Sequence, residues 1–281
     1  MKYSVLMTVY KNDNPSYLEK SIMSMINQTN KADEIVIVKD GPITKELQSV
    51  IDLIDEKFPN IINQLQLEKN IGLGLALNEG LKVCRNDIVA RMDADDISLS
   101  TRCEKQLKEF NLDSELDIVG CPVDEFIGDE KNIVCTRTVP ITNEEIYKFA
   151  RQRDPFNHPT VMYRKSKVLA CGGYSDLRKN QDTDLWIKMF VNGCKAKNLK
   201  EALLLFRFNE ETYKRRKNWI NTKLLIKTRY NAYKVGFCSF GDLLKVSIIQ
   251  LLIYIMPIKF QKWIYSAFLR QKSVKIGELN G

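Results

Sequence analysis

Asp87-Ile88-Val89-Ala90-Arg91-Met92-Asp93-Ala94-Asp95-Asp96 decides how this chain reads. It opens on a short apolar run of the kind that forms a buried strand. It ends with three carboxylates, Asp93, Asp95 and Asp96, within four residues at that strand's carboxyl end. Like charges so close repel, and each raises its neighbours' pKa unless positive charge lies between them. A divalent cation answers that need. Oxygen-only ligands suit a hard ion such as Mg²⁺ or Mn²⁺, which uses one or two carboxylates and completes its shell with substrate phosphates. The carboxyl ends of strands in open α/β sheets are also where ligands bind. The plainer alternative is a polar turn in which Asp96 or Ser98 caps a helix starting near Leu99. Asp-x-Asp alone is too short to choose between them.

The flanking sequence supplies the frame. Upstream, Tyr3 to Val9 is a buried-strand run, and Asn14-Pro15 caps a helix with Leu18, Ile22, Met25 and Ile26 at helical spacing. A second strand, Asp33 to Val38, ends in the turn Lys39-Asp40-Gly41-Pro42, and Leu47, Val50, Ile51 and Ile54 mark a second helix. Ile61 to Leu67 is a third strand, and Gly72 to Cys84 a third helix leading into the acidic stretch. Four strand–helix alternations over the first hundred residues predict parallel strands with right-handed crossovers.

Downstream the alternation loosens. Leu99 to Phe110 and Glu144 to Arg151 read as helices, and Asp117 to Phe126 and Ile133 to Val139 as an antiparallel pair. Pro159 to Tyr163 is a short strand, Cys171 to Tyr174 a turn, Gln181 to Val191 a helix and Lys200 to Phe208 a strand. From Glu211 the chain is basic and helical, with Leu243 to Met256 its most apolar run. That run is too short, and too interrupted by Lys245 and Gln250, to span a bilayer.

Apolar content of 44% and charged content of 28% over 281 residues are those of a globular protein with a real core. Met1-Lys2 leads straight into a strand-like run, so no signal peptide is expected. Seven scattered cysteines without a Cys-x-x-Cys pair indicate a reducing, cytosolic setting and no zinc site. The net charge of +8 is uneven: residues 212–281 carry 14 Lys/Arg and two acids, while the first 211 carry 29 Lys/Arg and 33 acids. A basic tail on a slightly acidic body points to an anionic partner, with nucleic acid and a membrane surface as candidates.

Several pieces coincide in order: Thr8-Val9-Tyr10, Val38 to Pro42, Asn70-Ile71-Gly72, Arg91 to Asp96, and Gln181-Asp182-Thr183-Asp184-Leu185-Trp186. Together they resemble the family 2 glycosyltransferases, inverting enzymes of the GT-A fold. The likeness is greatest to the bacterial branch that builds exopolysaccharide, capsule and O-antigen units, amylovoran-type enzymes included. It implies an α/β, GT-A mixed sheet flanked by helices. The catalytic domain would be residues 1–210, with a nucleotide-binding half (1–100) and an acceptor-binding half (101–210). Residues 211–281 would form a basic amphipathic helical extension.

The resemblance also implies a division of labour. Asp40 accepts from the uracil N–H, Thr8 and Tyr10 flank the base, and Asn70 and Gly72 line the same pocket; an Asp-Gly turn is the plain alternative for Asp40. Asn78 and Gly80 are read as helix packing. Asp93 and Asp95 hold the ion and ribose end of a nucleoside diphosphate sugar beside Arg91, with Asp95 the first choice of metal ligand. Asp96 faces sugar or acceptor, or only caps the next helix. Inversion needs one base opposite the leaving group. The family's Glu-Asp pair reads Gln181-Asp182 here, so Asp182 is the candidate base and Asp184 the runner-up; the alternative is that Asp182 caps the helix and Asp184 is a favourable first-turn charge. His158, the only histidine, is placed near the sugar, with a structural hydrogen bond as the alternative. Arg215 and Arg216 suit bidentate phosphate binding.

The implied reaction moves a hexose, galactose or glucose in β1,3 linkage, from a UDP-sugar to a lipid-diphosphate-linked sugar. It uses Mn²⁺ or Mg²⁺ at the cytoplasmic face of a bacterial membrane. The tail would bind the anionic membrane surface through residues 243–256 and 260–269, with Trp263, Tyr265 and Phe268 as interfacial anchors. A nucleotidyltransferase is the rival enzyme, but Thr8 to Asp13 lacks the glycine-rich phosphate loop such enzymes use. A nucleic-acid-binding protein would leave the acidic cluster without a role, because acids repel phosphate. Retention of Asp95 and Asp182 argues against a catalytically dead relative.

Overall fold

The computed structural model describes residues 1–208 and 218–256. The four predicted alternations are present: β1 (Ser4–Val9), α1 (Pro15–Ile26), β2 (Glu34–Lys39), α2 (Lys45–Lys57), β3 (Ile62–Gln66), α3 (Leu73–Val83) and β4 (Ile88–Met92). β4, β1, β2 and β3 lie side by side and all parallel. β1, β2 and β4 are buried at nearly every position, successive side chains entering opposite faces, as a pleated strand covered on both sides requires. Val5, Met7 and Val9 pack with Ile35 and Ile37 under α1 and α2, while Leu6, Val36 and Val38 face α3.

The second half continues the same sheet. It comprises β5 (Ile97–Ser98), α4 (Arg102–Leu112), β6 (Leu116–Gly120), β7 (Val123–Phe126), β8 (Ile133–Arg137), α5 (Asn143–Ala150), a 3₁₀ turn (His158–Thr160), β9 (Met162–Arg164) and α6 (Lys165–Ala170). α7 (Gln181–Val191), β10 (Lys195–Asn198) and β11 (Leu204–Arg207) follow. The seven-stranded sheet runs β10-β6-β9-β4-β1-β2-β3, with β9 antiparallel to both neighbours. A second sheet, β5-β11-β7-β8, stands at the carboxyl end of β4.

Several element boundaries differ from the sequence reading. The run 117–126 is two strands in two sheets. It breaks at Cys121-Pro122, where proline has no N–H to give a ladder. Helix α4 starts at Arg102, not near Leu99, because Ile97–Ser98 pairs with β11 instead. Neither Asp96 nor Ser98 caps that helix. The run 159–163 is a 3₁₀ turn followed by β9, and the run 200–208 shortens to β11. The sequence reading missed α6 and β10.

Gly80 lies where α3 crosses the sheet, and a Cβ there would sit 2.4 Å from Leu6 Cδ1 and 2.7 Å from Val38 Cγ2. Both are fully buried on parallel strands, so either must shift within the core to admit it. Gly80→Ala should therefore destabilise by about 1–3 kcal/mol through overpacking, against the gain in helix propensity of about 1 kcal/mol. Urea unfolding checks this, and an unchanged or higher midpoint would contradict it.

Beyond β11, α8 (Trp219–Lys234) and α9 (Phe240–Ile255) form a helical hairpin, and α8 also packs on α7. A Ser239–Asp242 capping box starts α9. Apart from buried Val246, α9 is not a core helix: Leu244, Ile248, Leu252 and Ile255 are exposed. Among the described residues no helix is long and apolar enough to cross a membrane. The segment 260–269, with Trp263, Tyr265 and Phe268, lies outside the described residues.

Candidate active site

The acidic stretch folds as a turn between the two sheets. One oxygen each from Asp93, Asp95 and Asp96 lies within 4.8 Å of the others. Asp95 is exposed, Asp93 half-buried and Asp96 buried. Their counter-charges come from opposite directions. Arg91, buried on β4, donates to Asp93 through Nη2, while its Nε and Nη1 have no hydrogen-bond partner among the described residues. Arg207, at the end of β11, donates its backbone N–H to Asp96 Oδ1 at 2.8 Å and its Nε to the Asp95 carbonyl at 3.0 Å. Its guanidinium lies 3.7 Å from the Tyr17 ring centroid, a close cation–π stack. Asp96 thus holds β11 in place, which the sequence reading did not foresee.

Two arginines do not neutralise this cluster. Although Asp95 is exposed as a residue, the protein packed around its carboxyl partly desolvates it, and with Asp93 adding this pushes the carboxyl up to about 6. Burial, Asp93 and Asp95 push Asp96 well above the usual carboxylate range. Asp96 Oδ2 is buried without a hydrogen-bond partner. An all-oxygen triad short of positive charge, with an orphaned oxygen, fits a hard divalent ion.

A fourth acid escaped the sequence reading. Asp13, beyond β1, accepts from Tyr10 N at 2.9 Å. Burial pushes its carboxyl up to about 7 against that hydrogen bond, and Asp95 and Asp93 add to the rise. Tyr10 itself is exposed. Thr8 is on β1, whose neighbour β2 leads into Asp40. Asp40 is buried, and its two oxygens accept from Ile71 N at 2.7 Å and Gly72 N at 3.1 Å. Asn70 Nδ2 donates to the Asp40 carbonyl at 3.2 Å. A Cβ on Gly41 would lie 2.6 Å from Asn70 N, and its φ of +82° suits glycine. Asp40, Asn70 and Gly72 are therefore brought together, and Asp40 closes the two loops on each other, a role the sequence reading did not contain.

On the other side of the cluster lies a cavity of about 640 Å³. Asp93, His158 and Asp182 line it, with Asp154, Arg229 of α8 and Gln250 of α9. His158 Nε2 lies 2.9 Å from the Tyr174 hydroxyl. Burial and the Arg91 charge hold the imidazole well below its usual pKa, so it is neutral at pH 7. Asp182 is in the first turn of α7, where burial, then Asp154, push its carboxyl up to about 6 against the backbone N–H of Thr183. Asp184 is not in the cavity lining. It accepts from the Ser175 hydroxyl and pairs with Lys188 Nζ at 3.1 Å. Asn78 bonds both Tyr174 N and Tyr174 O at 2.8 Å, fastening the 171–174 turn against α3. Arg215 and Arg216 lie outside the described residues.

A fold with a nucleotide-type strand end, an acid triad and a carboxylate across a cavity matches a known sequence family. The model of the family described as glycosyl transferase family 2 covers residues 4–173. The chain belongs to that family. Its relatives include an Escherichia coli UDP-Gal:alpha-D-GlcNAc-diphosphoundecaprenol beta-1,3-galactosyltransferase, 36% identical over 96% of this chain and 97% of that protein. The amylovoran biosynthesis glycosyltransferase AmsE of Erwinia amylovora is 35% identical over 94% of this chain and 97% of its own length. Among solved structures, S. aureus TarS residues 1–349 in complex with UDP superposes with a TM-score of 0.62 at 18% identity, covering 95% of this chain and 79% of that one. The mannosyltransferase PcManGT of Pyrobaculum calidifontis, in complex with GDP-Man and Mn²⁺, gives 0.65 at 14%, covering 95% and 75%.

The family 2 match ends at residue 173, before α7. The fold of this glycosyltransferase is the GT-A type that the motif order implied. Asp13, Asp154, Arg207 and Arg229 carried no motif signal. Only Arg207, as the charged end of an apolar run, could have been suspected.

Proposed function

We propose that this glycosyltransferase transfers a hexose, galactose or glucose, from a UDP-sugar to a sugar carried on a lipid diphosphate, with inversion at the anomeric carbon. The observation that carries the reading is the single cavity that joins Asp93 of the acid cluster to Asp182. It leaves room for an acceptor between the donor's diphosphate and a base. The Escherichia coli relative, named for UDP-Gal and GlcNAc-diphosphoundecaprenol, supports the choice of substrates.

The reaction follows from the placement. Asp93, Asp95 and Asp96 would hold a divalent ion, which when bound neutralises the departing diphosphate as a Lewis acid. Asp40, Asn70 and Gly72, with Thr8 and Tyr10, form the nucleoside end. Asp182 takes the proton of the acceptor hydroxyl as that oxygen bonds to the sugar's anomeric carbon. The bond from that carbon to the UDP oxygen breaks, and UDP leaves on the opposite face. His158, held neutral, offers a hydrogen bond to sugar without adding charge. The test is a donor screen: UDP-galactose, UDP-glucose, UDP-N-acetylglucosamine and GDP-mannose, each with Mn²⁺ and an N-acetylglucosaminyl-diphosphate-alkyl acceptor. Transfer from a UDP-hexose is expected; transfer only from GDP-mannose would overturn the reading.

A lipid-linked acceptor places the enzyme at the cytoplasmic membrane surface, and α9 is suited to that. Leu244, Ile248, Leu252 and Ile255 recur at helical spacing on an exposed face. The tail from residue 212 carries 14 Lys/Arg, and each one near an anionic leaflet contributes about 1 kcal/mol. Full-length protein should float with anionic vesicles and partly release at high salt. The double substitution Ile248→Glu with Leu252→Glu should abolish flotation while leaving transfer to a short-chain acceptor intact. Flotation unchanged by that pair would remove α9 from the membrane contact.

A further inference from the structure

The C-terminal hairpin reaches into the active site. Arg229, in the middle of α8, is buried and lines the same cavity as Asp182. Its Nη1 donates to the Ala150 carbonyl at the end of α5 at 2.6 Å. Its Nη2 stands 3.7 Å from Asp154 Oδ1. The same Asp154 oxygen accepts from the Thr183 hydroxyl, and Thr183 is the next residue after Asp182. A chain of contacts thus runs from α8 through the 151–157 loop to the first turn of α7. Asp154 is held at one end by a cation and grips the helix turn that presents the carboxylate at the other.

We propose that Arg229 is a positioning residue for catalysis: through Asp154 and Thr183 it fixes where Asp182 meets the acceptor hydroxyl. The inference rests on the reading of Asp182 as the base. It makes α8 part of the catalytic apparatus. Arg229 is buried while the Asp154 side chain is partly exposed, so the link is anchored from the arginine's side. Its loss would tilt the α7 turn, and a misplacement of about 1 Å in a reacting group costs up to about 10²-fold.

The charges around Asp182 set the signs of the test. Asp154 faces it from the 151–157 loop, Arg91 from β4, Tyr174 from the 171–174 turn and Arg229 from α8. Asp93, His158 and Lys179 share the cavity wall. Removing the Arg229 cation disfavours the Asp182 carboxylate, and removing the Asp154 anion favours it.

The experiment follows Asp182 in the full 281-residue chain by carboxyl ¹³C titration, the resonance being assigned from its absence in Asp182→Asn. Arg229→Met should move the Asp182 midpoint up, and Asp154→Asn should move it down, each by roughly half a pH unit or more. Arg229→Lys should stay near wild type. In transfer from UDP-galactose to N-acetylglucosaminyl-diphosphate-alkyl acceptor, Arg229→Met should lose roughly tenfold or more in kcat with the KM for UDP-galactose unchanged. Arg229→Lys should recover most of it. Opposite shifts of the midpoint place both charges beside Asp182, and a kcat loss at unchanged KM that Arg229→Lys recovers separates positioning from a merely structural role. An unmoved Asp182 midpoint in Arg229→Met, or a kcat close to wild type, overturns the proposal. Full activity in Asp182→Asn instead removes the base assignment, and this inference with it, whatever the titrations give.

Discussion

Asp182→Asn is expected to lower kcat by about 10²–10⁴-fold, the usual cost of removing a positioned general base. UDP-sugar affinity should stay within a few-fold, because the substitution is isosteric and none of the residues assigned to the nucleoside end lines the cavity with Asp182. The pH profile gives a second handle. Asp182 must be ionised to accept a proton, and its carboxyl is pushed up to about 6 by burial and Asp154. In wild type, kcat/KM should therefore rise with pH through about 6, about two units above an ordinary aspartate. His158 is held well below its usual pKa, so no rising limb near neutrality belongs to it. Asp184→Asn should cost much less, since its carboxylate is engaged by Ser175 and Lys188. A profile flat from pH 5 to 8, or Asp184→Asn as the more damaging change, would reassign the base.

Metal removal is expected to abolish transfer outright. Among the described residues, Arg91 and Arg207 offset the three carboxylates, and desolvation raises Asp95 and Asp96 further. Dialysis against a chelator should eliminate activity, and Mn²⁺ or Mg²⁺ should restore it. Asp95→Ala should eliminate metal-dependent UDP binding in calorimetry. Ion binding must displace protons from these acids, so apparent metal affinity should weaken as pH falls through about 6. Equal activity with and without EDTA after metal-free preparation would rule out a metal-dependent reaction.

The parts of this protein that could be read along the chain are those set by near neighbours. The β1 to β4 alternation rests on hydrophobic spacing within single elements, and all four strands formed where that spacing placed them. The acid triad is legible because its members are adjacent, so the turn that follows β4 brings them together. Asn78 and Gly80 read as packing residues from their place in a helix, and they pack.

Distance along the chain hid the rest. Arg207 meets Asp96 across 111 residues, and Arg229 reaches the Ala150 carbonyl across 79. Neither pairing has a local signature, because each depends on how separate sheets and helices stack. Asp182 and Asp184 show the limit within a single helix. They are equal as residue types and both lie in the first turn of α7. Positions two residues apart on a helix are turned about 200° from each other, so only one can face a given cavity. The packing of α7 on the sheet, through Leu185, Trp186, Met189 and Phe190, turns Asp182 to the cavity and Asp184 to Lys188. The residue types and their local spacing thus contained the candidates, a cluster of acids suited to an ion and two carboxylates at a helix start. Which of the two faces the cavity, and which distant cations stand near it, was decided by burial and packing between elements far apart in the chain.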